Sequence, residues 1–148
     1  MLQIKQINSE KDLKDLSQQD LIDFLYTHLD RFRDDKDSIS RCLDYTFSKN
    51  NGKGGFILTA YLEGKLVGVV VTNKTGMGGY IPENILVYIA VDQNYRGQGI
   101  GKRLLVETIN RSEGDIKLHV EYDNPAKRLY ERVGFTTKYA EMRYTKKK

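Results

Sequence analysis

The sequence is poor in cysteine, proline and histidine and has no long apolar run. Its one cysteine, Cys42, excludes an internal disulfide. No Cys or His spacing marks a ligand set, so no metal is expected. Both features suit a reducing compartment, and a cytoplasmic location is expected. Residues 1–12 (MLQIKQINSEKD) lack the basic and apolar regions of a secretory signal. No apolar stretch approaches the ~20 residues that span a bilayer, so no membrane partner is expected. No repeat, low-complexity tract or Pro/Ser-rich linker divides the chain. Net charge is only +4, and Lys146, Lys147 and Lys148 supply most of it. Such a tail is ordinarily solvated. The rest is nearly neutral, so nucleic acid is not an expected partner.

What is present is enough for a core. Hydrophobic residues make up 39% of 148, and charges are well mixed, which fits one folded domain over 1–148. Residues 2–7 alternate as a half-buried strand. Residues 18–32 place Leu21, Phe24, Leu25, Leu29 and Phe32 at helical spacing, and 38–49 repeat this with Ile39, Cys42, Leu43 and Phe47. Cys42 therefore reads as a core residue. Residues 56–62 and 66–73 flank Glu63-Gly64-Lys65, a tight hairpin. The run 84–91 (NILVYIAV) reads as a strand buried on both faces. Residues 99–111 read as a helix with Leu104, Leu105 and Ile109 inward, 116–122 as a strand, 124–133 as a helix and 135–145 as a last strand. Asn124 caps the last helix, Pro125 suits its first position and Gly134 ends it. The unit 84–122 is strand–helix–strand, so its strands should be parallel. The expectation is an α/β fold, a mixed sheet with helices on both faces.

The segment Val91-Asp92-Gln93-Asn94-Tyr95-Arg96-Gly97-Gln98-Gly99-Ile100-Gly101-Lys102 carries the chemistry. A strand ends, a turn follows, and three alternating glycines open a helix. Glycines allow close backbone approach and positive φ. Free N–H groups at a helix start attract phosphate oxygens. Arg96 and Lys102 add charge at the rim. A P-loop would need Ser or Thr where Arg103 stands. A dinucleotide fold would need G-x-G-x-x-G; the spacing here is G-x-G-x-G, although Glu121 lies at a suitable distance downstream.

Arg96-Gly97-Gln98-Gly99-Ile100-Gly101 resembles the R/Q-x-x-G-x-G/A motif of the GNAT superfamily of N-acetyltransferases. The run Asn124-Pro125-Ala126-Lys127-Arg128-Leu129-Tyr130-Glu131-Arg132-Val133-Gly134-Phe135 resembles the family's N-x-x-A-x-x-L-Y-x-x-x-G-F signature. The resemblance implies a GNAT-type acyl-CoA N-acyltransferase fold. It implies residues 1–83 on the acceptor side and 84–148 as the acetyl-CoA-binding core with a C-terminal strand. It implies direct acetyl transfer from acetyl-CoA to a primary amine through a ternary complex. Backbone amides of Gln98 through Lys102, including Gly99 and Gly101, with Gly97 and Arg96 beside them, would hold the pyrophosphate. The resemblance also implies a bulge in the 84–91 strand, which would splay from the 116–122 strand so that pantetheine slots between them; Ile89 and Val91 would offer their backbones to it, and the Ile89 N–H would face the thioester oxyanion. Asn124 would touch the same arm. Tyr130 would protonate the departing thiolate.

Glu83, just before the 84–91 strand, is the candidate base, directly or through water; ordinary surface charge is the alternative. The acids Asp30, Asp34, Asp35, Asp37 and Glu83 would favour a cationic acceptor. Tyr88 either lines the acceptor pocket or packs the core. His28 and His119 have no second ligand at metal spacing and read as structural or solvated. The alternative function is a catalytically silent acyl-CoA-binding sensor. A homodimer is a further possibility that family resemblance implies.

Overall fold

The computed structural model describes residues 1–147. Five strands form one sheet in the order β1-β2-β3-β4-β5: β1 (Leu2–Ile7), β2 (Gly55–Leu62), β3 (Lys65–Lys74), β4 (Asn84–Val91) and β5 (Ile116–Leu118). The first four are antiparallel neighbours, and β4 and β5 are parallel. The helices are α1 (Gln18–His28), α2 (Lys36–Thr46), α3 (Ile100–Arg111) and α4 (Ala126–Arg132). This is the expected mixed sheet with helices on both faces.

Local chemistry explains the elements. Ser17 opens α1 with a reciprocal cap: its Oγ accepts from Asp20 N at 3.0 Å, and Asp20 accepts from Ser17 N at 2.9 Å. The helix stops short of the expected Phe32, because Asp30 takes φ 55° and the chain turns into a single 3-10 turn. Asp35 caps α2 by accepting from Ser38 N at 2.7 Å. The β2–β3 hairpin turns on Glu63 and Gly64, both left-handed (φ 50° and 79°), the pairing geometry of a two-residue hairpin.

One core lies between the sheet and α1/α2, built on Leu21, Leu25, Ile39, Leu43, Ile57 and Val71. The other lies under α3/α4, built on Leu58, Val70, Leu86, Ile100, Leu104 and Leu105. Cys42 packs against the first core, as expected of a stripe residue. Burial pushes its thiol up to about 11, so it stays protonated and unreactive. Ile109 points outward at 39% exposure, and Thr108 takes the inward place. Each residue advances about 100° around a helix, which sets position 108 between 104 and 105 and position 109 at the margin.

Three other expectations change. β4 is not buried on both faces: it alternates buried and half-buried residues. β5 spans three residues rather than 116–122, because it leaves β4 after Leu118. The C-terminal strand over 135–145 does not form, and Tyr139, Met142 and Tyr144 are exposed. Alternation in that segment gives no ladder by itself, since β5 past Leu118 is not a strand it can extend. Lys148 lies outside the described residues. Among these residues, no helix is long and apolar enough to cross a membrane.

Candidate active site

The site begins at an irregularity in β4. Val71 of β3 faces Tyr88 and Thr72 faces Leu86, so Val87 is an extra residue, a β-bulge. A bulge reverses which residues aim their backbone at each neighbour. Before it, Asn84 N donates toward β5, to Asp115 O at 3.0 Å. After it, Asp92 N donates toward β3, to Val67 O at 2.8 Å. Backbone direction alternates along a strand. The N–H groups of Ile89 and Val91 therefore point toward the β5 side. Among the described residues no strand receives them there, because β4–β5 pairing ends at Leu86–Leu118. The result is a wedge between two parallel strands, with main-chain donors and acceptors along one wall.

The wedge opens onto the start of α3. Gly97 and Gly99 both take φ 81°, and Gly99 is the residue before the helix. The first amide after the turn with a carbonyl partner is Arg103 N, bonded to Gly99 O at 3.0 Å. Among the described residues, the amides of 97–102 have no acceptor; 97–99 lie on an exposed loop and 100–102 form the first turn of α3. That is an anion cradle with the dipole of a 12-residue helix behind it. Gly101 serves a different need: a Cβ there would lie 3.2 Å from Leu129 Cδ2, so its bareness lets α4 pack against α3. Gln98 and Lys102 are exposed beside the cradle.

Arg96 is engaged by main-chain carbonyls. Its Nε donates to Val91 O at 3.3 Å and its Nη2 to His28 O at 2.7 Å. It ties the loop to the end of α1 and occupies the Val91 carbonyl. His28 adds a second tie, because its Nδ1 accepts from Gln93 N at 3.3 Å. Asp92 is buried between His28 and Lys65, each 3.8 Å away, and caps the loop's 3-10 turn through Asn94 N. Neither His28 nor Asp92 was singled out for this role from sequence, since their partners are far away along the chain. Desolvation, then Arg96 and Lys65, hold the His28 imidazole below the ordinary value near 6.5, with Asp92 opposing them. As pH falls through 6.5, the unfolded chain takes the proton before the folded one, so stability declines there. Protonation also removes the acceptor for Gln93 N. Melting temperature and affinity for an anionic ligand of the cradle are therefore expected to fall together below about pH 6.5, and His28→Gln to flatten both curves. Thermal melts and binding titrations across pH check this.

Tyr130 lies on α4, 8% exposed, edge-on to Phe135 with ring centres 5.9 Å apart. Its hydroxyl makes no hydrogen bond among the described residues, and burial pushes its pKa up to about 12. It therefore stays protonated across the physiological range. Asn124 Oδ1 accepts from Ala126 N at 2.9 Å, which caps α4. Asn124 also lines a cleft of about 440 Å³ with Tyr122, Asp123, Pro125, Lys127, Arg128 and Glu131. On the other lip of the wedge, Tyr88 donates from its buried ring to Asp34 at 2.6 Å, so core packing and a polar contact coincide.

Glu83 does not join this group. Its Oε1 accepts from Asp115 N at 2.7 Å and its Oε2 from Gly79 N at 3.4 Å. These amides lower its pKa, the Asp115 bond most. The residue latches the 76–83 loop onto the α3–β5 turn, whose Gly114 must lack a Cβ to admit it. It stands at the N-terminal end of β4, roughly 25 Å of extended chain from Val91. Glu83→Gln is expected to change kcat less than about threefold, where losing a working base costs on the order of 10²-fold. Steady-state kinetics check this. His119 is exposed just past β5, and no partner for it is found among the described residues.

Residues 53–137, more than half the chain, match the family model for an acetyltransferase (GNAT) domain. The chain belongs to the GNAT acetyltransferase family. Solved structures of similar fold cover nearly all of it. An aminoglycoside acetyltransferase from an uncultured soil metagenomic sample, in complex with trehalose, is 21% identical, with 99% of this chain and 97% of that one covered and a TM-score of 0.65. A possible acetyltransferase from Clostridium difficile is 19% identical, with 99% of each chain covered and a TM-score of 0.67. A ribosomal-protein-alanine N-acetyltransferase from Brucella melitensis is 18% identical, with 98% and 99% covered and a TM-score of 0.64. At these identities the likeness is one of fold. None of the curated proteins compared matches the chain. Acetyl-CoA is the co-substrate of the GNAT family, and the free cradle amides and the gap-facing β4 backbone suit its pyrophosphate and its amide-bearing arm.

Proposed function

We propose that the chain, acting as one domain, transfers acetyl from acetyl-CoA directly to a primary amine with both substrates bound together. The observation that carries this reading is the alignment of two backbone features. Ile89 and Val91 amides face a gap that no strand among the described residues fills. From that gap β4 leads, through residues 92–96, to the free amides of 97–102. A pantetheine arm supplies the amide groups such a gap would pair with, as an added strand does.

Each residue then has a defined task. The cradle amides, with Lys102 at the rim, hold the pyrophosphate. The Ile89 N–H donates to the thioester oxygen as it gains charge. Tyr130 gives its phenolic proton to the departing sulfur. Arg96 positions the loop through Val91 and His28 rather than by contact with phosphate. Cys42 is half-buried on the core-facing side of α2 and protonated, so no covalent acyl-enzyme is invoked.

The test is free-thiol release from acetyl-CoA across a panel of amines. Similar folds include an aminoglycoside acetyltransferase and a ribosomal-protein-alanine N-acetyltransferase, so the panel holds an aminoglycoside, a peptide amine and a polyamine. Acceleration by one class, slowed in Tyr130→Phe, supports the reading. Tight acetyl-CoA binding with no release on any amine supports a silent sensor instead.

A further inference from the structure

The amine must lose a proton before it attacks, and Glu83 is latched elsewhere. The chain segment between α1 and α2 offers another group. It is tied to both sides of the wedge, to β4 and to the turn after β5. Arg31 reaches Asp123, in the turn between β5 and α4, at 3.1 Å. Asp34 accepts from Tyr88 on β4 at 2.6 Å. Tyr88 follows the bulge residue Val87 and directly precedes Ile89, the residue whose amide faces the gap. Its ring is 8% exposed, whereas Asp34 is solvent-exposed. A buried phenol thus fixes one carboxylate oxygen, Oδ2, and leaves Oδ1 free at the α1/α2 side of the gap.

We propose that Asp34 is the proton acceptor for the attacking amine. This rests on the acetyl-transfer reading above. The acceptor ammonium gives one proton to Asp34, and its nitrogen lone pair forms the new C–N bond. The C–S bond breaks, and the sulfur takes its proton from Tyr130. The nitrogen's second proton passes to solvent as the amide forms; solvent then reprotonates the Tyr130 phenolate and takes the proton from Asp34, so one net proton is released per turnover. Exposure lets Asp34 exchange its proton with water after each turnover. Burial and the adjoining carboxylate raise the Tyr88 pKa far above its ordinary range, so Tyr88 remains a donor to Asp34 and does not compete for the proton. The other ionisable groups facing this pair are Asp35 at the start of α2, Cys42 on α2 and Arg143 of the C-terminal segment.

Asp34→Asn keeps the shape and removes the base. The probes are the primary amine that the panel selects and its alkoxyamine analogue, whose nitrogen is already unprotonated at neutral pH. With the amine, Asp34→Asn is expected to lower kcat about 100-fold. With the alkoxyamine, it is expected to lose less than about threefold, and KM for acetyl-CoA and the melting temperature should stay unchanged. A merely structural role would cost both acceptors alike, and that result overturns the proposal. So does an unchanged rate on both. Wild-type protein that releases no thiol on any acceptor overturns the transfer reading itself, and with it the role of Asp34.

Discussion

Gly99→Val is expected to weaken acetyl-CoA binding by up to about 100-fold. Gly99 stands at φ 81°, immediately before α3. An L-residue in the left-handed region costs roughly 1–2 kcal/mol, and a β-branched one is worse placed than most. Nothing crowds the Cβ position, since no atom lies within 4 Å of it. The penalty therefore comes from backbone conformation and not from a clash. Relaxing it rotates the peptide that begins the cradle. A hydrogen bond to a charged oxygen is worth roughly 1.5–3 kcal/mol, so losing one such amide as the strain relaxes amounts to up to about two decades in affinity. Isothermal titration with acetyl-CoA measures it. Gly101→Ala is the informative contrast. Its new Cβ would press on Leu129 Cδ2 at 3.2 Å, so it should lower stability more than affinity. A Gly99→Val protein that binds as tightly as the wild type would remove the cradle from the binding site.

How much of this was legible in the sequence depends on distance along the chain. Gly97 and Gly99 were readable because a turn from strand to helix needs positive φ where they stand. The hairpin at Glu63-Gly64 was readable for the same reason. The element order was readable because each periodicity is local. The pocket walls were harder. Alternation places Glu83 and Ile85 on one face, but it cannot reveal that Asp115 brings an amide to Glu83 from 32 residues away. Nor can it reveal the bulge at Val87, which resets the alternation and aims the Ile89 amide into the gap. Arg96 reads as a phosphate ligand because it is a cation beside glycines. Its actual partners are carbonyls, one of them 68 residues distant on α1. The β5 and C-terminal strands failed in the other direction. Alternating residues mark a chain that can extend, and only a neighbouring backbone decides whether it does. Asp34 illustrates both limits: it sits among several acids, and only its contact with Tyr88 separates it from them.

Tyr130→Phe is expected to lower kcat about 100-fold while changing the acetyl-CoA dissociation constant less than about threefold. The hydroxyl has no partner among the described residues, so its removal breaks no existing hydrogen bond. The ring keeps its buried place against Phe135, and the fold should be indifferent to the loss. What changes is the fate of the sulfur. A thiolate leaves as a fair leaving group, so the reaction continues slowly without a donor. With its pKa raised to about 12 by burial, Tyr130 stays protonated through the assay range. The wild-type rate should accordingly show no tyrosine-dependent fall between pH 7 and about pH 10. An acceptor amine has its own titration in that range, which an alkoxyamine acceptor removes. The leaving group supplies the decisive comparison. Replacing acetyl-CoA by an acyl donor with a more acidic thiol reduces the need for the proton. The gap between wild type and Tyr130→Phe should then narrow. If the gap is the same for both donors, Tyr130 does not act on the sulfur, and its place on α4 is explained by packing alone.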